Sequence, residues 1–539
     1  MSNIAWLADK LSGKRIKQET ARHLESLARE PVRASERTAR ELLRALRSEP
    51  GPKVCLGETM WGEPVLIPLA FLVRAFGLLH GGTGSGKSMA GCAIMEAIIE
   101  RLPQLRSVGF GVLDAKGELF DRAAYLLAAR LAQLEGEAQQ QLLDRIVIID
   151  FSSREAISSY NILSRWAYTE KDFFLTNRLE TLRELLPAGE KLSLRGATVL
   201  KNVLALLSEF GLPLTHLNQV LESEALRSKL LARSKNPEVR FYFGRHFAQE
   251  GKQTIAALRA RMDSLFASEG VQLALSGSTA PDFRRLQNEG KIVLINCAGQ
   301  SITRGVRLLL QGLVLADIRQ AIFARPNDPP VSYLWLADEA QNFFLNKQQQ
   351  ENMADILTMA RSFGTYFCFL CQNISTAVPD ARVSETLHTN IRWSLTLRGT
   401  PRDAQFLRAV LPVTGRRLRP DPHPFRERAM YSPEEERALA LESIAHLPDR
   451  TAYLWLKARS PEAIKIRTRD INLPEGEEFR QIVEALREEP SLGGRIPRSE
   501  YERLIVERDR EWLEVKEGSS DLGERFEKKY GEERNAWQA

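Results

Sequence analysis

Long apolar runs are missing from this sequence. Its longest apolar stretch, Val65 to His80, is interrupted by Arg74 and Gly77 and falls short of the roughly 18 to 20 continuous residues that a spanning helix needs. No segment is expected to cross a bilayer by itself. The opening residues, Met1-Ser-Asn-Ile-Ala-Trp-Leu-Ala-Asp-Lys10, lack the basic stretch and apolar centre of an export signal. Cysteine is sparse: Cys55, Cys92, Cys297, Cys368 and Cys371 form an odd set without disulfide spacing, which suits a reducing compartment. Cys368 and Cys371 do make a C-x-x-C, but inside the apolar, strand-like run Tyr366 to Cys371, where residues three apart face opposite sides of a sheet. Core thiols are expected there rather than a redox or metal pair. The seven histidines are scattered, with no i, i+4 pair, so a zinc site has no support. A dominant charge is also lacking: 75 Lys and Arg against 69 Asp and Glu leave +6, too dilute to establish a polyanionic partner. These absences predict a cytoplasmic protein, at most peripheral at the inner face of a membrane through the basic residues 1 to 53, which hold 12 basic and 7 acidic side chains.

What remains is ordinary globular material, 43% apolar and 27% charged over 539 residues, enough for two to four domains at roughly 100 to 200 residues each. Residues 1–53 read as a helical arm ended by Pro50-Gly-Pro52. From 54 to 166 fully apolar strands alternate with helices: Phe76 to His80, Val108 to Leu113, Ile146 to Ile149. Such strands point to an α/β domain with a mostly parallel sheet covered on both faces. Residues 167–270 read as helix after helix and form an all-α insertion. Strands return at Ile292 to Ile295, Tyr333 to Leu336, Tyr366 to Cys371, Trp393 to Leu397 and Ala452 to Leu456, so 271–474 completes a discontinuous α/β domain. Residues 475–539 read as a charged helical tail.

The chemistry begins at Gly81-Gly82-Thr83-Gly84-Ser85-Gly86-Lys87-Ser88, which fits G-x4-G-K-[ST] between an apolar strand and a helix expected over Met89 to Glu100. Glycines let backbone N–H groups wrap phosphates, Lys87 is suited to the β and γ phosphates of ATP, and the Ser88 hydroxyl to Mg2+. A second strand supplies carboxylates in Tyr333-Leu-Trp-Leu-Ala-Asp-Glu-Ala-Gln341: Asp338 for the metal, Glu339 as the general base that polarises water. A third strand ends in Asp114-Ala-Lys-Gly-Glu118, on the edge where open α/β sheets bind ligands.

As a set these motifs resemble the TraG/TraD-type conjugative (type IV secretion) coupling proteins, of the HerA/FtsK superfamily of P-loop DNA-pumping ATPases. Further matches are Ser159-Tyr-Asn-Ile-Leu163, Gly251-Lys-Gln-Thr-Ile255, Phe283-Arg-Arg-Leu286 and the block from Arg361-Ser-Phe-Gly364 to Gln372, in motif order over roughly residues 60 to 470. The sequence departs from the family in having Ala115 for a proline and no spanning helix of its own. The resemblance implies a RecA-like ATPase core with an all-α insertion domain and assembly as a homohexamer, with Gln372 as a γ-phosphate sensor. Arg361 is then the finger that reaches a neighbouring subunit, with Arg392 and Arg398 as rivals. It also implies DNA as cargo, single- or double-stranded, and a membrane-bound secretion or transfer apparatus as partner. Arg259, Arg261, Arg284, Arg285 and Arg382 are the arginines considered for DNA contact. The leading reading is an ATP-driven DNA translocase; the alternatives are a secretion-type ATPase moving protein and an ATP-gated assembly or defence platform.

Overall fold

The computed structural model describes Arg22 and residues 36–512, apart from 186–191, 346, 373–377, 379, 414–429, 458, 475 and 491. Most of the expected N-terminal arm, and the expected tail beyond 512, lie outside the described residues. The chain divides into two compact units: Met1–Val147 with Phe283–Ala298 and Val314–Leu486, and Ile148–Asp282 with Gly299–Leu313 and the residues from Arg487 onward.

An eleven-stranded sheet organises the first unit. Its strands are β1 (Lys53–Thr59), β2 (Pro64–Pro68), β3 (Phe76–His80), β4 (Val108–Asp114) and β5 (Ile146–Asp150, where the chain leaves this unit); a short β6 (Ala156–Ile157) belongs to the second. They continue with β7 (Ile292–Asn296), β8 (Ser332–Ala337), β9 (Thr365–Cys371), β10 (Ile391–Thr396), β11 (Thr451–Leu456) and β12 (Ile464–Thr468). The order across the sheet is β2-β1-β12-β11-β10-β3-β9-β8-β4-β7-β5. From β10 through β7 every neighbouring pair is parallel. Strands β3, β4, β7, β8 and β9 are buried along their whole length, which is why they read as unbroken apolar runs instead of alternating ones.

Packing between these strands is tight enough to dictate residue size. Trp335 on β8 is fully buried, and a Cβ at Gly111 on the adjacent β4 would lie 2.2 Å from its ring. Glycine is required there by the close approach of the indole, a contact that real Cβ atoms do not make. Cys368 and Cys371 are free thiols buried in β9, and burial pushes both upward from the usual thiol range, so they are inert core residues.

The eight strands read from the sequence are all present, with ends shifted by one or two residues. Three more, β1, β2 and β12, escaped the sequence reading. They build an antiparallel extension on β11; β1 and β12 carry polar interruptions such as Lys53, Glu58 and Arg467, so no apolar run marks them, while β2 is wholly apolar but merges into the longer stretch that follows it. The stretch Val65 to His80 is likewise divided, into β2, a short helix Leu69–Val73 and β3.

The second unit is helical. The helix Leu194–Glu209 buries Val199, Leu200, Val203, Leu204 and Leu207 on one side and starts on a Ser193 side chain that accepts the Gly196 N–H at 3.1 Å, the ordinary N-cap arrangement. The helix Lys252–Leu265 buries Leu258, Met262 and Leu265. This unit takes in more than the insertion expected at 167–270. The helix Arg498–Trp512 lays Tyr501 and Ile505 against Ile157 and Leu273, Tyr501 donates to the Leu273 carbonyl at 2.9 Å, and Arg487 pairs with Asp150 at 2.8 Å. The C-terminal segment up to Trp512 is therefore partly core, not wholly a solvated tail; its apolar residues are spaced three or four apart between charges, a stripe that charge counting overlooks.

Candidate active site

The carboxyl ends of β3, β9, β8, β4 and β7 converge, because parallel strands in register all finish on the same edge of the sheet. His80 of β3 is opposite Cys371 of β9, Ala337 of β8 opposite both Phe369 of β9 and Leu113 of β4, and Asp114 of β4 opposite Asn296 of β7. The ladder runs one step further where Asp338 N–H donates to the Leu113 carbonyl at 3.0 Å. The glycine loop, Asp338, Glu339, Asp114 and Gln372 are thus brought to one edge from segments far apart in sequence.

The loop leaves β3 and enters the helix Lys87–Ile99, which begins two residues before the expected Met89. Gly84 at φ 74° and Gly86 at φ 106° turn the chain through the left-handed region, where an L side chain is disfavoured. Ser85 Oγ donates to the Gly82 carbonyl at 2.7 Å, and Lys87 Nζ lies on the same carbonyl at 2.9 Å. The N–H groups of Thr83, Gly84 and Gly86 make no backbone hydrogen bond among the described residues. A cradle of unspent N–H groups at a helix N-terminus, with a buried lysine across it, suits a phosphate chain. Burial lowers the Lys87 pKa from its ordinary value, and the charge of Asp338 opposes that shift.

The acids are held differently from one another. Asp338 is buried, and burial, then the charges of Asp114 and Glu339, push its pKa up to about 7; a divalent cation beside it would favour the charged form. Ser88 opens the helix one residue after Lys87, so a hydroxyl and a carboxylate, both hard oxygen donors suited to Mg2+, stand on the same edge. Asp114 is also buried, and its two oxygens accept the N–H groups of Lys116 at 2.7 Å and Phe120 at 2.8 Å. It ties down the turn and the first turn of the helix Glu118–Leu131 and does not face outward. Burial raises its pKa while those backbone N–H groups counter the rise.

Glu339 occupies the left-handed region at φ 49° and ψ 43°, unusual for a residue with a Cβ. Its carboxylate is gripped by three donors: Lys116 Nζ, Gln341 Nε2, and Gln372 Nε2 at 2.8 Å. Gln372 in turn accepts from the Thr83 hydroxyl at 3.3 Å, so one hydrogen-bonded chain runs from the glycine loop through Gln372 to Glu339 and Lys116. Burial works against the charge of Lys116, but the hydrogen bond and charge of Glu339 prevail and its pKa is raised. His80 anchors the same corner: its Nε2 lies 3.1 Å from the Gln372 carbonyl, and burial lowers its pKa to about 4.

Arg361 is not brought into this cluster. It is exposed in the 3-10 turn Ala360–Phe363, before the first residue of β9, whereas Gln372 follows the last. Seven strand residues, Thr365–Cys371, separate the two by about 20 Å of sheet at roughly 3.3 Å per residue. Of its rivals, Arg398 pairs with Asp449 at 2.7 Å beside the glycine loop, and Arg392 is exposed near the start of β10. Among the arginines considered for DNA, Arg259 is paired with Glu222 and Arg285 with Glu289, while Arg382 is exposed. The sequence reading gave no role to His80 or Arg450, and it placed Thr83 in the phosphate-binding loop without foreseeing its link to Gln372. A polar residue ending the apolar strand β3 was the available signal for His80; Arg450 carried none.

No protein-family model matches the chain, and no curated protein does. Solved structures similar to it include the plasmid coupling protein TrwB in complex with ADP and Mg2+, 15% identical over 81% of this chain and 94% of that one, with a TM-score of 0.48. Another is VirB4 of Thermoanaerobacter pseudethanolicus, 14% identical over 78% of this chain and 98% of that one, at a TM-score of 0.49. The cytoplasmic domain of the Type VII secretion ATPase EccC of Thermomonospora curvata is 13% identical and covers 83% of this chain and 32% of that one, at a TM-score of 0.29. The α/β fold with a mostly parallel sheet is read from this chain's own strands.

Proposed function

We propose that the chain is a Mg2+-dependent ATPase that works as a ring and moves DNA. The observation that carries the ATPase reading is the connected chain Thr83, Gln372, Glu339, Lys116 beside Lys87 and Asp338. Lys87 and the loop N–H groups hold the β and γ phosphates. Ser88 and Asp338 are the residues that would hold Mg2+, which when bound neutralises phosphate charge. Glu339 takes the proton of the attacking water. Gln372 is the sensor, because a γ-phosphate seated against Thr83 competes for the amide that grips Glu339; when the amide turns, the base is released toward the water. Arg361 serves a neighbouring subunit, since its own β9 holds it on the far edge of the sheet.

DNA is favoured over protein cargo by the helix Pro237–Arg245 of the helical unit. It turns Arg240, Phe241 and Arg245 to solvent, with Phe241 56% exposed and the Arg245 guanidinium 5.8 Å from its ring centroid. Exposed aromatic faces among arginines suit the bases and phosphates of a single strand. Attachment to a membrane-bound transfer apparatus would come through a partner: no helix of the described residues is long and apolar enough to cross a membrane.

The test is phosphate release by the purified protein with no DNA, with single-stranded and with double-stranded DNA, alongside its mass in solution with ATP. Stimulation by DNA together with a mass near six protomers supports the proposal. Slow turnover indifferent to both DNAs, with ATP still driving assembly, would assign the protein to an ATP-gated platform, and absence of nucleotide binding would remove the ATPase reading itself.

A further inference from the structure

On the side of the glycine loop away from Asp338, Glu339 and Gln372 the chain makes a second set of attachments. Gly82 N–H donates to the Arg398 carbonyl at 2.6 Å, where the loop begins, and Arg450 N–H donates to the Ser85 carbonyl at 3.2 Å, where it ends. Arg450 stands at φ 61°, a conformation costly for any residue with a side chain. Its carbonyl is fixed as well, accepting from Thr468 N at 2.7 Å and Thr468 Oγ1 at 3.1 Å. Both backbone groups are therefore riveted, one to the loop and one to β12, and the strain aims the side chain. A Cβ placed on Gly86 would meet Arg450 Cγ at 3.6 Å and Cα at 3.8 Å, so the arginine leans on the last glycine before the helix. Its guanidinium pairs with Asp470 at 2.5 Å, while Asp449, its chain neighbour, pairs with Arg398 at 2.7 Å.

The sheet order decides which end of a nucleotide this arginine meets. Strands β9 and β8, with Gln372 and Glu339 beyond them, lie on one side of β3, and β10 and β11 lie on the other. Resting on the reading above, which seats the γ-phosphate by Gln372 and Glu339, the nucleotide crosses the loop and carries its α-phosphate and ribose toward β10. We infer that Arg450 is a positioning residue for the nucleotide, its guanidinium, shared with Asp470, holding the α-phosphate and ribose of a bound nucleoside di- or triphosphate beside Gly86. A planar fork can keep one edge on the carboxylate and turn another to phosphate.

The contact is common to ATP and ADP, so its loss falls on affinity for both and on KM more than on kcat. Arg450→Gly is the informative variant, because glycine takes the φ without the Cβ cost and leaves both backbone hydrogen bonds in place. Its thermal midpoint should equal or exceed that of the wild type, while its Kd for ADP and ATP, measured by calorimetry, rises about tenfold, the scale of one lost charge-assisted hydrogen bond. Arg450→Lys, which keeps charge but not the fork, should fall between. Equal affinity of wild type and Arg450→Gly for both nucleotides overturns the inference, and so does a loss confined to ATP with ADP unaffected, which would make the arginine a γ-phosphate group. If Arg450→Gly does not fold, the Arg450→Lys measurement decides by the same criteria. A wild-type protein that binds neither nucleotide would refute the proposed function instead.

Discussion

Replacing Glu339 with glutamine isolates the chemical step, because the substitution conserves shape and the left-handed backbone at φ 49° while removing the basic oxygen. The present carboxylate accepts from Lys116, Gln341 and Gln372. A carboxamide at 339 can accept through one oxygen only, and its NH2 must face a donor on the other side, so at least one of the three contacts becomes donor against donor. Because Lys116 is about two-fifths exposed, with 39% of its side chain accessible, water can take over its hydration, and the stability cost should stay near 1 kcal/mol, the net worth of an ordinary hydrogen bond. Turnover is another matter: loss of a general base costs on the order of a hundred- to ten-thousandfold. Phosphate release should fall by at least about a hundredfold in Glu339→Gln, while Kd for Mg·ATP stays within a few-fold of wild type and the thermal midpoint moves little. If binding and turnover fall together in proportion, Glu339 is a structural or metal-binding residue and the base must be sought elsewhere. Gln372→Ala adds a check, since it removes the link between Thr83 and Glu339. Combined with Glu339→Gln it should slow turnover little beyond the single change, as two members of one relay are not additive.

Lys87→Ala should weaken ATP binding and abolish turnover, as no other cation rests on the Gly82 carbonyl among the described residues; wild-type turnover in that variant would sink the assignment of the loop. Arg361→Ala should bind ATP normally and hydrolyse it poorly, and mixing it with Glu339→Gln should restore activity at interfaces that pair an intact base with an intact finger. Mixed rings that form yet stay inactive would exclude Arg361 and direct attention to Arg392 and Arg398. For His80, the unfolded chain takes up a proton near the ordinary 6.5, whereas burial holds the folded group near 4 against the pull of Asp403 and with help from Lys87 and His388. Between those two values the unfolded state binds more protons, so stability falls as pH falls, by about 3 kcal/mol across the window. Denaturant midpoints from pH 7 to 4 should drop less for His80→Gln than for wild type; parallel curves would mean that His80 does not control acid lability.

The legible part of this molecule is the part where local sequence and tertiary role coincide. Strand β3 could be read because a parallel strand buried on both faces must be apolar throughout, and the glycine loop because its turns need residues without a Cβ wherever it occurs. The same logic found β8 with Asp338 and Glu339. Asp114 shows where it stops. Its place at the end of β4 on the nucleotide edge was readable, but its carboxylate turns back to the N–H groups of Lys116 and Phe120, a choice made by the turn at Gly117 and not by its position in the strand. Lys116, two residues on, is the group that reaches the site, through Glu339.

Arg450 lies beyond the reach of any local pattern. Pro448-Asp449-Arg450-Thr451 resembles any exposed charged turn, and its left-handed arginine exists only because Ser85, 365 residues earlier by subtraction of the two positions, offers a carbonyl to its N–H while Thr468 holds its own carbonyl. A conformation that costs free energy by itself must be repaid by contacts that the turn does not contain, and such contacts leave no periodicity, motif or composition to read. The same holds for Glu339, which is also left-handed and is tied by Lys116 and Gln372 from two distant segments, besides Gln341 in its own turn. Two strained, non-glycine residues thus border the glycine loop from opposite sides, one facing the sensor and one facing Gly86. A loop pinned at Gly82 and Ser85 on one flank and through Thr83 on the other cannot shift for a phosphate at one end without loading the bonds at the other. Strain placed on both sides of the loop is therefore what would let occupancy of the phosphate cradle be felt at the base.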